Sequence, residues 1–307
     1  MKKCLVLLLL INTACFAQKF DLTLHLIKDS TYYLDSKSAM SIEQNIDNEH
    51  KQTINLVSSG TVSHKVLAVH DTVYDVEVMY RSLKMHVEIP GVSNTDISSD
   101  DKNPQNIVTK IIRVMLNKPF NMQITNTGKI LSVQNMDKIY DGMFDEFPQA
   151  TDVQRAQFKA QMQQAFGEKS LRGSFQETFA MIPKKKIGIN EKWNSTNRIE
   201  SIISLKYLTT YALTAVNNGT YIIHGSATVR DNGTPEYKPY SNNRLLRIAD
   251  VNGTSVTDLR LDRKTGWPVS SAVTKNIKCT GYMKDNTGHV STATMVITGE
   301  VSVVGKY

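Results

Sequence analysis

The sequence is poor in the residues that perform chemistry in fixed arrangements. Of its three cysteines, Cys4 and Cys15 fall in or beside the leader described below, so Cys279 stands alone and no internal disulfide can form. Cys279 lies in an alternating strand pattern and reads as a packed thiol. The seven histidines occur in no H-E-x-x-H, H-x-H or Cys-His pattern, which removes the usual metal-ligand spacings. His64 and His70 share one strand face but stand about 20 Å apart, too far for one ion, and both read as surface side chains. No glycine-rich phosphate loop is present, and Gly173-Ser174-Phe175 lacks the G-x-S-x-G frame of a nucleophile elbow. Asp141, Asp145 and Glu146 read as the wet face of a helix, not as an acid–base pair. The expectation is a protein with no catalytic residues, no metal and no cofactor.

Long hydrophobic runs are also missing. The longest, Leu5 to Ile11, is too short to cross a bilayer, and with Lys2 and Lys3 before it and Cys15-Phe16-Ala17 after it reads as an export signal cleaved after Ala17. Thr13-Ala14-Cys15 also fits the end of a lipobox, with Cys15 as the acylated residue, but Asn12 stands where a leucine is expected, which favours simple cleavage. Removing Lys2 and Lys3 takes the formal charge from +7 to +5. That excess is dispersed. Lys184-Lys185-Lys186 forms the only tight cluster and reads as a solvated turn after Pro183, so nucleic acid is not an expected partner. The mature chain has no expected transmembrane segment.

What the sequence does have is aromatic weight in its middle and alternation on both sides. Met136, Ile139, Tyr140, Met143, Phe144 and Phe147 share one helix face, and Pro148 stops the run. Thr151 and Gln154 form a capping box that opens a second helix carrying Phe158, Met162 and Phe166. Leu171, Phe175 and Phe179 follow at four-residue spacing before Pro183. Six of the nine phenylalanines lie in this insert. Three short helices are too small to be stable alone, so their apolar faces must cover a sheet.

Before the insert, Phe20, Leu22, Leu24 and Leu26 alternate as a half-buried strand. Further strands are expected at 32–45, 53–57, 61–69 and 72–89, the last with a bulge near Ser82. Residues 90–104 read as a polar loop and 104–116 as a helix. Phe120, Met122 and Ile124 lead through Thr127-Gly128 into a hairpin. After the insert, Asn218-Gly219, Asn232-Gly233 and Asn252-Gly253 each read as a type I′ turn between strands. Two long runs, 267–283 and 289–304, turn at Asp285 to Gly288, and strands of that length must twist and coil. An echo between Thr127-Gly128-Lys129-Ile130-Leu131-Ser132 and Thr265-Gly266-Trp267-Pro268-Val269-Ser270 leaves duplication open.

The chain therefore divides into a leader (1–17), an N-terminal β segment (18–134), a helical insert (135–183) and a C-terminal β segment (184–307) continuous with the first. The expected fold is mainly β with a helical insert: a curved antiparallel sheet, clam or half-barrel, capped by helices from 136–182.

The run Ile182-Pro183-Lys184-Lys185-Lys186-Ile187-Gly188-Ile189-Asn190-Glu191-Lys192-Trp193 resembles a marker of an uncharacterised family of exported Gram-negative envelope proteins. In that family Gly-Asp-x-Trp follows a Pro and a short spacer; here Asn190-Glu191 replaces Gly-Asp. Gly253 to Val256 and Leu261-Asp262-Arg263-Lys264-Thr265-Gly266 resemble its second marker, a strand ending in an Asp-x-x-x-Gly hairpin. The family has no assigned activity, so the resemblance implies an envelope location and a β-rich fold and assigns no site residues. At the level of fold the pattern is similar to the periplasmic lipoprotein carriers, whose concave sheet holds acyl chains.

Two functions follow as expectations. One is a non-enzymatic periplasmic binder of an apolar or lipid-like ligand, its cavity lined by Tyr140, Met143, Phe144, Phe158, Met162, Phe175 and Phe179. The other is a structural or interaction protein of the envelope, periplasmic or outer-membrane associated, whose insert is plain core and whose partner is another envelope protein.

Overall fold

The computed structural model describes residues 18–102, 107–143, 149, 151–179, 182–200, 204–240 and 244–307. The proposed leader, its cleavage point and Cys15 lie outside them. Strand β1 (Lys19–Phe20) comes first, then three long strands, β2 (Thr31–Ile46), β3 (His50–His70) and β4 (Val73–Ile89). The segments expected at 53–57 and 61–69 are thus one strand. The expected bulge in β4 is present, with Arg81 as the extra residue between the pairs Thr61–Ser82 and Val62–Tyr80. Within the expected 90–104 loop lies a further strand, β5 (Ser93–Ser98), folded back on β4 through Gly91 at φ +74°.

Helix α1 (Ile107–Met115) and the hairpin β6 (Phe120–Thr125) and β7 (Ile130–Gln134) precede three helices, α2 (Met136–Met143), α3 (Asp152–Phe166) and α4 (Glu168–Phe179). Thr151 and Gln154 form the expected capping box of α3. The second segment supplies β8 (Ile187–Gly188), β9 (Lys192–Glu200), β10 (Ser204–Asn217), β11 (Thr220–Asp231), β12 (Lys238–Pro239), β13 (Leu245–Asp262), β14 (Pro268–Lys284) and β15 (Val290–Lys306). Asn218-Gly219 joins β10 to β11, but only Gly219 takes a positive φ, so the turn is not type I′. Asn252-Gly253 is no turn at all: it lies inside β13, where a Cβ on Gly253 would meet the Asn276 carbonyl at 2.7 Å.

One antiparallel sheet spans both segments in the order β7-β6-β4-β3-β2-β15-β14-β13-β11-β10-β9, with β5 and β12 as side branches. It is mainly β, open and not closed into a barrel, because β7 and β9 are its two edges. It is strongly bent, since neighbouring residues of α4 touch both edges. Arg172 donates to the carbonyls of Ile130 and Leu131 on β7, and Gly173 packs on Ile199 of β9. The arginine thereby also covers carbonyls that an edge strand would leave open.

Residues 21–27 are the main departure from the expected strands. Leu22, Leu24 and Leu26 are buried as their alternation implied, but the backbone pairs with turns and not with a neighbouring strand. Leu24 N–H donates to Asn126 O at 2.7 Å and His25 N–H to Thr265 O at 2.8 Å, so the strap runs between the two echoing Thr-Gly turns.

Candidate functional site: the inner face of the sheet

Cross-strand pairing assigns each side chain to a face. On the inner face, Tyr32 and Leu34 of β2, His64 and Val66 of β3, Val76 and Val78 of β4, and Val303 of β15 join one core. Ile111 and Met115 of α1, Met136 and Ile139 of α2, Met162 of α3 and Phe179 of α4 cover that core. The helices therefore seal one end of the trough.

Trp267 is the hub of this closed end. Its ring, 1% exposed, meets Tyr32 at 4.9 Å, His64 at 5.2 Å and Phe179 at 5.2 Å between centroids. Phe175 stacks on Phe179 at 4.1 Å and reaches the His64 ring at 5.8 Å. His64 is thus not a surface side chain, as the sequence reading had it, but a buried one. Burial lowers its pKa to about 4 against a weaker opposing hydrogen bond to the Tyr32 backbone, so the imidazole is neutral at physiological pH. Trp193, on edge strand β9, stacks on Tyr211 at 5.6 Å.

Of the seven residues expected to line a cavity, Met162 and Phe179 are buried in this core and Phe175 packs against it. Tyr140, Met143 and Phe158 are positions on α2 and α3, and Phe144 lies outside the described residues. Beneath α4 is a cavity of about 20 Å³ lined by Gly173, Asn197, Tyr207, Thr209, Ser255 and Thr257 among others. That space suits a water molecule, not an acyl chain.

A second apolar surface lies on the same face, farther along the long strands. A single inner-face row crosses the sheet as Tyr207, Val229, Gly253, Ile277, Ile297, Ile42 and Ile54. Val229 and Ile277 are buried where the sheet curls over, but Ile297, Ile42 and Ile54 are half-buried. Met40, Leu56, Met85 and Val87 extend the same half-buried apolar floor. Gly173 of α4 lies with Tyr207 and Ala227 at the small cavity, at the buried end of this row. The sequence contained this signal in its two-residue period; which stretches of each long strand lie deepest was not visible in it.

The opposite face is polar. His224, Ser226, Thr228 and Arg230 of β11, Asn252, Thr254, Asp258 and Arg260 of β13, and Thr274, Asn276 and Lys278 of β14 are exposed. A barrel in a membrane presents an apolar band outward, which is the reverse. No helix among the described residues is long and apolar enough to cross a membrane. Among the described residues no three His, Cys, Asp or Glu side chains gather as metal ligands. Cys279 is buried, and that burial pushes its pKa up to about 11, so it is a protonated packing group.

The markers noted in the sequence are turn locks. Asp262 accepts hydrogen bonds from the Lys264 and Thr265 amides and the Thr265 hydroxyl at 2.8–3.0 Å, and from the Tyr307 hydroxyl at 3.2 Å. Burial alone would raise its pKa, but these bonds together hold it below the usual value. Glu191 accepts from Lys185 and from the Gly188 amide, which hold its carboxyl at about 2. Asn190 sits at φ +64°, a conformation suited to glycine.

The profile of DUF6263, a family of unknown function, matches residues 71–268. The chain belongs to that family. The match takes in both turn locks and the strands from β4 to β13, and leaves β2, β3, β15 and all but the first residue of β14 outside it. No curated protein matches the chain. Among solved structures, lipovitellin, from work on its lipid–protein interactions, aligns with 92% of this chain and 26% of its own at 10% identity and TM-score 0.50. The chain spans about a quarter of that protein, and the likeness is one of fold. The outer membrane protein OprG of Pseudomonas aeruginosa aligns at 7% identity over 91% of this chain and 97% of its own, with TM-score 0.26. An outer membrane channel of Pseudomonas putida F1 aligns at 6% identity over 92% and 98%, with TM-score 0.28.

Proposed function

We propose that this DUF6263 member is an exported, non-enzymatic protein of the cell envelope that holds an apolar, lipid-like ligand on the open inner face of its sheet. The observation that carries the reading is the row from Val229 to Ile54, apolar along its length, fully buried at one end and only partly buried at the other. Covering half-exposed isoleucine, leucine and methionine side chains gains about 25 cal/mol per Å² of apolar surface removed from water. Flexible Met40, Met85 and Met295 suit a ligand of variable shape. In this reading Met162, Phe175 and Phe179 form the end wall of the trough, and the floor comes from the long strands. The likeness in fold to lipovitellin, a protein studied for its lipid interactions, supports a role for such a sheet in holding lipid.

Native mass spectrometry of gently purified protein tests this. Bound acyl species that disappear in an Ile42→Asp, Leu56→Asp double variant are expected. A clean apo mass from several preparations contradicts the reading.

A further inference from the structure

We infer that the end of the sheet crossed by the strap is a docking surface for an anionic phospholipid bilayer. Pairing there gathers cations that are far apart in the sequence. Lys19 of β1 lies opposite Gly188 of β8 and Phe20 opposite Ile187, so Lys19 adjoins the Lys184-Lys185-Lys186 run that leads into β8. Arg263, in the β13–β14 turn, sets its guanidinium 5.9 Å from the centre of the Phe20 ring and 5.7 Å from that of Tyr221. Lys264 follows it, and Lys192 follows the β8–β9 turn. All seven cations are exposed.

Three carboxylates stand among them. Glu191 is bracketed by Lys185 at 2.7 Å and Lys19 at 3.7 Å. Asp21 accepts from the Thr23 amide and hydroxyl and lies 3.7 Å from His25, and Asp262 is taken up by its own turn. Seven cations less three carboxylates leave a formal excess of four positive charges, out of +5 for residues 18–307. A charge dispersed along the sequence is thus largely gathered at one end by folding.

Two isoleucines are presented at the same end. Ile189 is 50% exposed at the tip of the β8–β9 turn. That turn is fixed, because Glu191 accepts from the Gly188 amide at 2.9 Å and the Asn190 amide donates to Leu213 O at 2.7 Å. The alternation that buries Leu22, Leu24 and Leu26 turns Lys19, Asp21, His25 and Ile27 outward; Ile27 is 60% exposed, beside the oppositely charged Lys28 and Asp29. A dissolved polyanion would engage the lysines and leave both isoleucines in water. A bilayer takes the cations at its head groups and the isoleucines at the acyl boundary. Each cation near such a surface strengthens binding about fivefold, and salt screens the effect.

The test is co-sedimentation of the purified protein with vesicles of phosphatidylcholine alone, and with vesicles in which about a third of the lipid is phosphatidylglycerol. The unaltered protein is expected to bind only the second kind at low salt and to be released at high salt. A Lys184→Gln, Lys186→Gln double variant is expected to weaken that binding about 10–30-fold, and Ile189→Ser, which changes no charge, about fivefold. The Ile42→Asp, Leu56→Asp variant, altered only on the inner floor, is expected to sediment like the unaltered protein, which separates this surface from the ligand site. Equal binding to both kinds of vesicle, no binding to either, or binding that the double lysine variant keeps overturns the proposal. Loss in the lysine variant with no change in Ile189→Ser overturns the bilayer as partner and makes the surface a site for dissolved polyanions. Loss confined to the Ile42→Asp, Leu56→Asp variant would put the bilayer contact on the inner floor and overturn it equally.

Discussion

Phe179 closes directly on Gly128. A Cβ added to this glycine would lie 2.9 Å from the Cβ of Phe179, and its backbone is at φ +77°. The last turn of α4 is thus seated against the β6–β7 hairpin. Gly91 has nearly the same backbone, φ +74°, with open space around it. Gly91→Ala is therefore expected to cost only the left-handed backbone penalty, about 1–2 kcal/mol. Gly128→Ala adds the displacement of a buried ring, for a total of about 2–4 kcal/mol. Urea denaturation of the two variants separates the contact from the backbone term, and equal losses would show that Phe179 does not bear on Gly128.

His64 makes stability depend on pH in a definite direction. Its folded pKa of about 4 lies below the ordinary 6.5, so between these values the unfolded chain binds the extra proton. Stability is then complete above about pH 6.5 and falls as pH drops toward 4, by about 2–3 kcal/mol at pH 4.5 from this group. Asp262 acts below that window, as pH falls from 3.8 through its lowered folded value, while Glu191 begins to contribute near pH 4.5 and equally in both proteins compared below. Denaturation at pH 7 and pH 4.5 is expected to show this loss in the unaltered protein and a much smaller one in His64→Leu. Identical losses in both would mean the imidazole is not buried and neutral.

Asp262 organises the turn that delivers Trp267 to the core. Asp262→Ala leaves two backbone amides and two hydroxyls without their acceptor and is expected to cost about 2–4 kcal/mol. Asp262→Asn retains an acceptor oxygen and should cost less than half as much. Thermal melts with tryptophan fluorescence report both values, and an Asn variant as damaged as the Ala variant would show that charge, not acceptor geometry, holds the turn.

Much of this architecture was legible in the sequence because it rests on local rules. The capping box at Thr151 and Gln154, the bulge in β4 and the alternation through 267–283 each follow from a short-range preference, and each is present. The misreadings came from long-range contacts. Leu22, Leu24 and Leu26 alternate like a strand, yet their backbone partners are turns more than 100 residues away, at Asn126 and Thr265. Asn252-Gly253 has turn chemistry, but its glycine serves close approach to Asn276 and Ile277 of β14. Phe179 and Met162 carried the apolar signal of the insert, and the structure seats them in core against Trp267 and its neighbours.

Arg172 secures the edge of the sheet as well as the helix. It joins Glu168 on α4 to the carbonyls of Ile130 and Leu131 on β7. Arg172→Met keeps most of the packing and removes the hydrogen bonds. Hydrogen exchange is expected to accelerate at 130–134 and in α4, with a loss of about 1–3 kcal/mol and a greater tendency to associate through the freed edge. Unchanged exchange in both segments would show that α4 and the β7 edge are not held together through this residue.

The central claim is that the partly buried apolar floor on the inner face of the sheet is where the ligand lies. Photocrosslinking with a diazirine-bearing fatty acid, followed by peptide mapping, tests it most directly. The account predicts saturable labelling of Met40, Ile42, Leu56, Met85 and Met295, abolished by excess oleate, with His224, Thr228 and Lys278 on the outer face unlabelled. Label confined to the outer face, or label that excess oleate does not compete away, would contradict it.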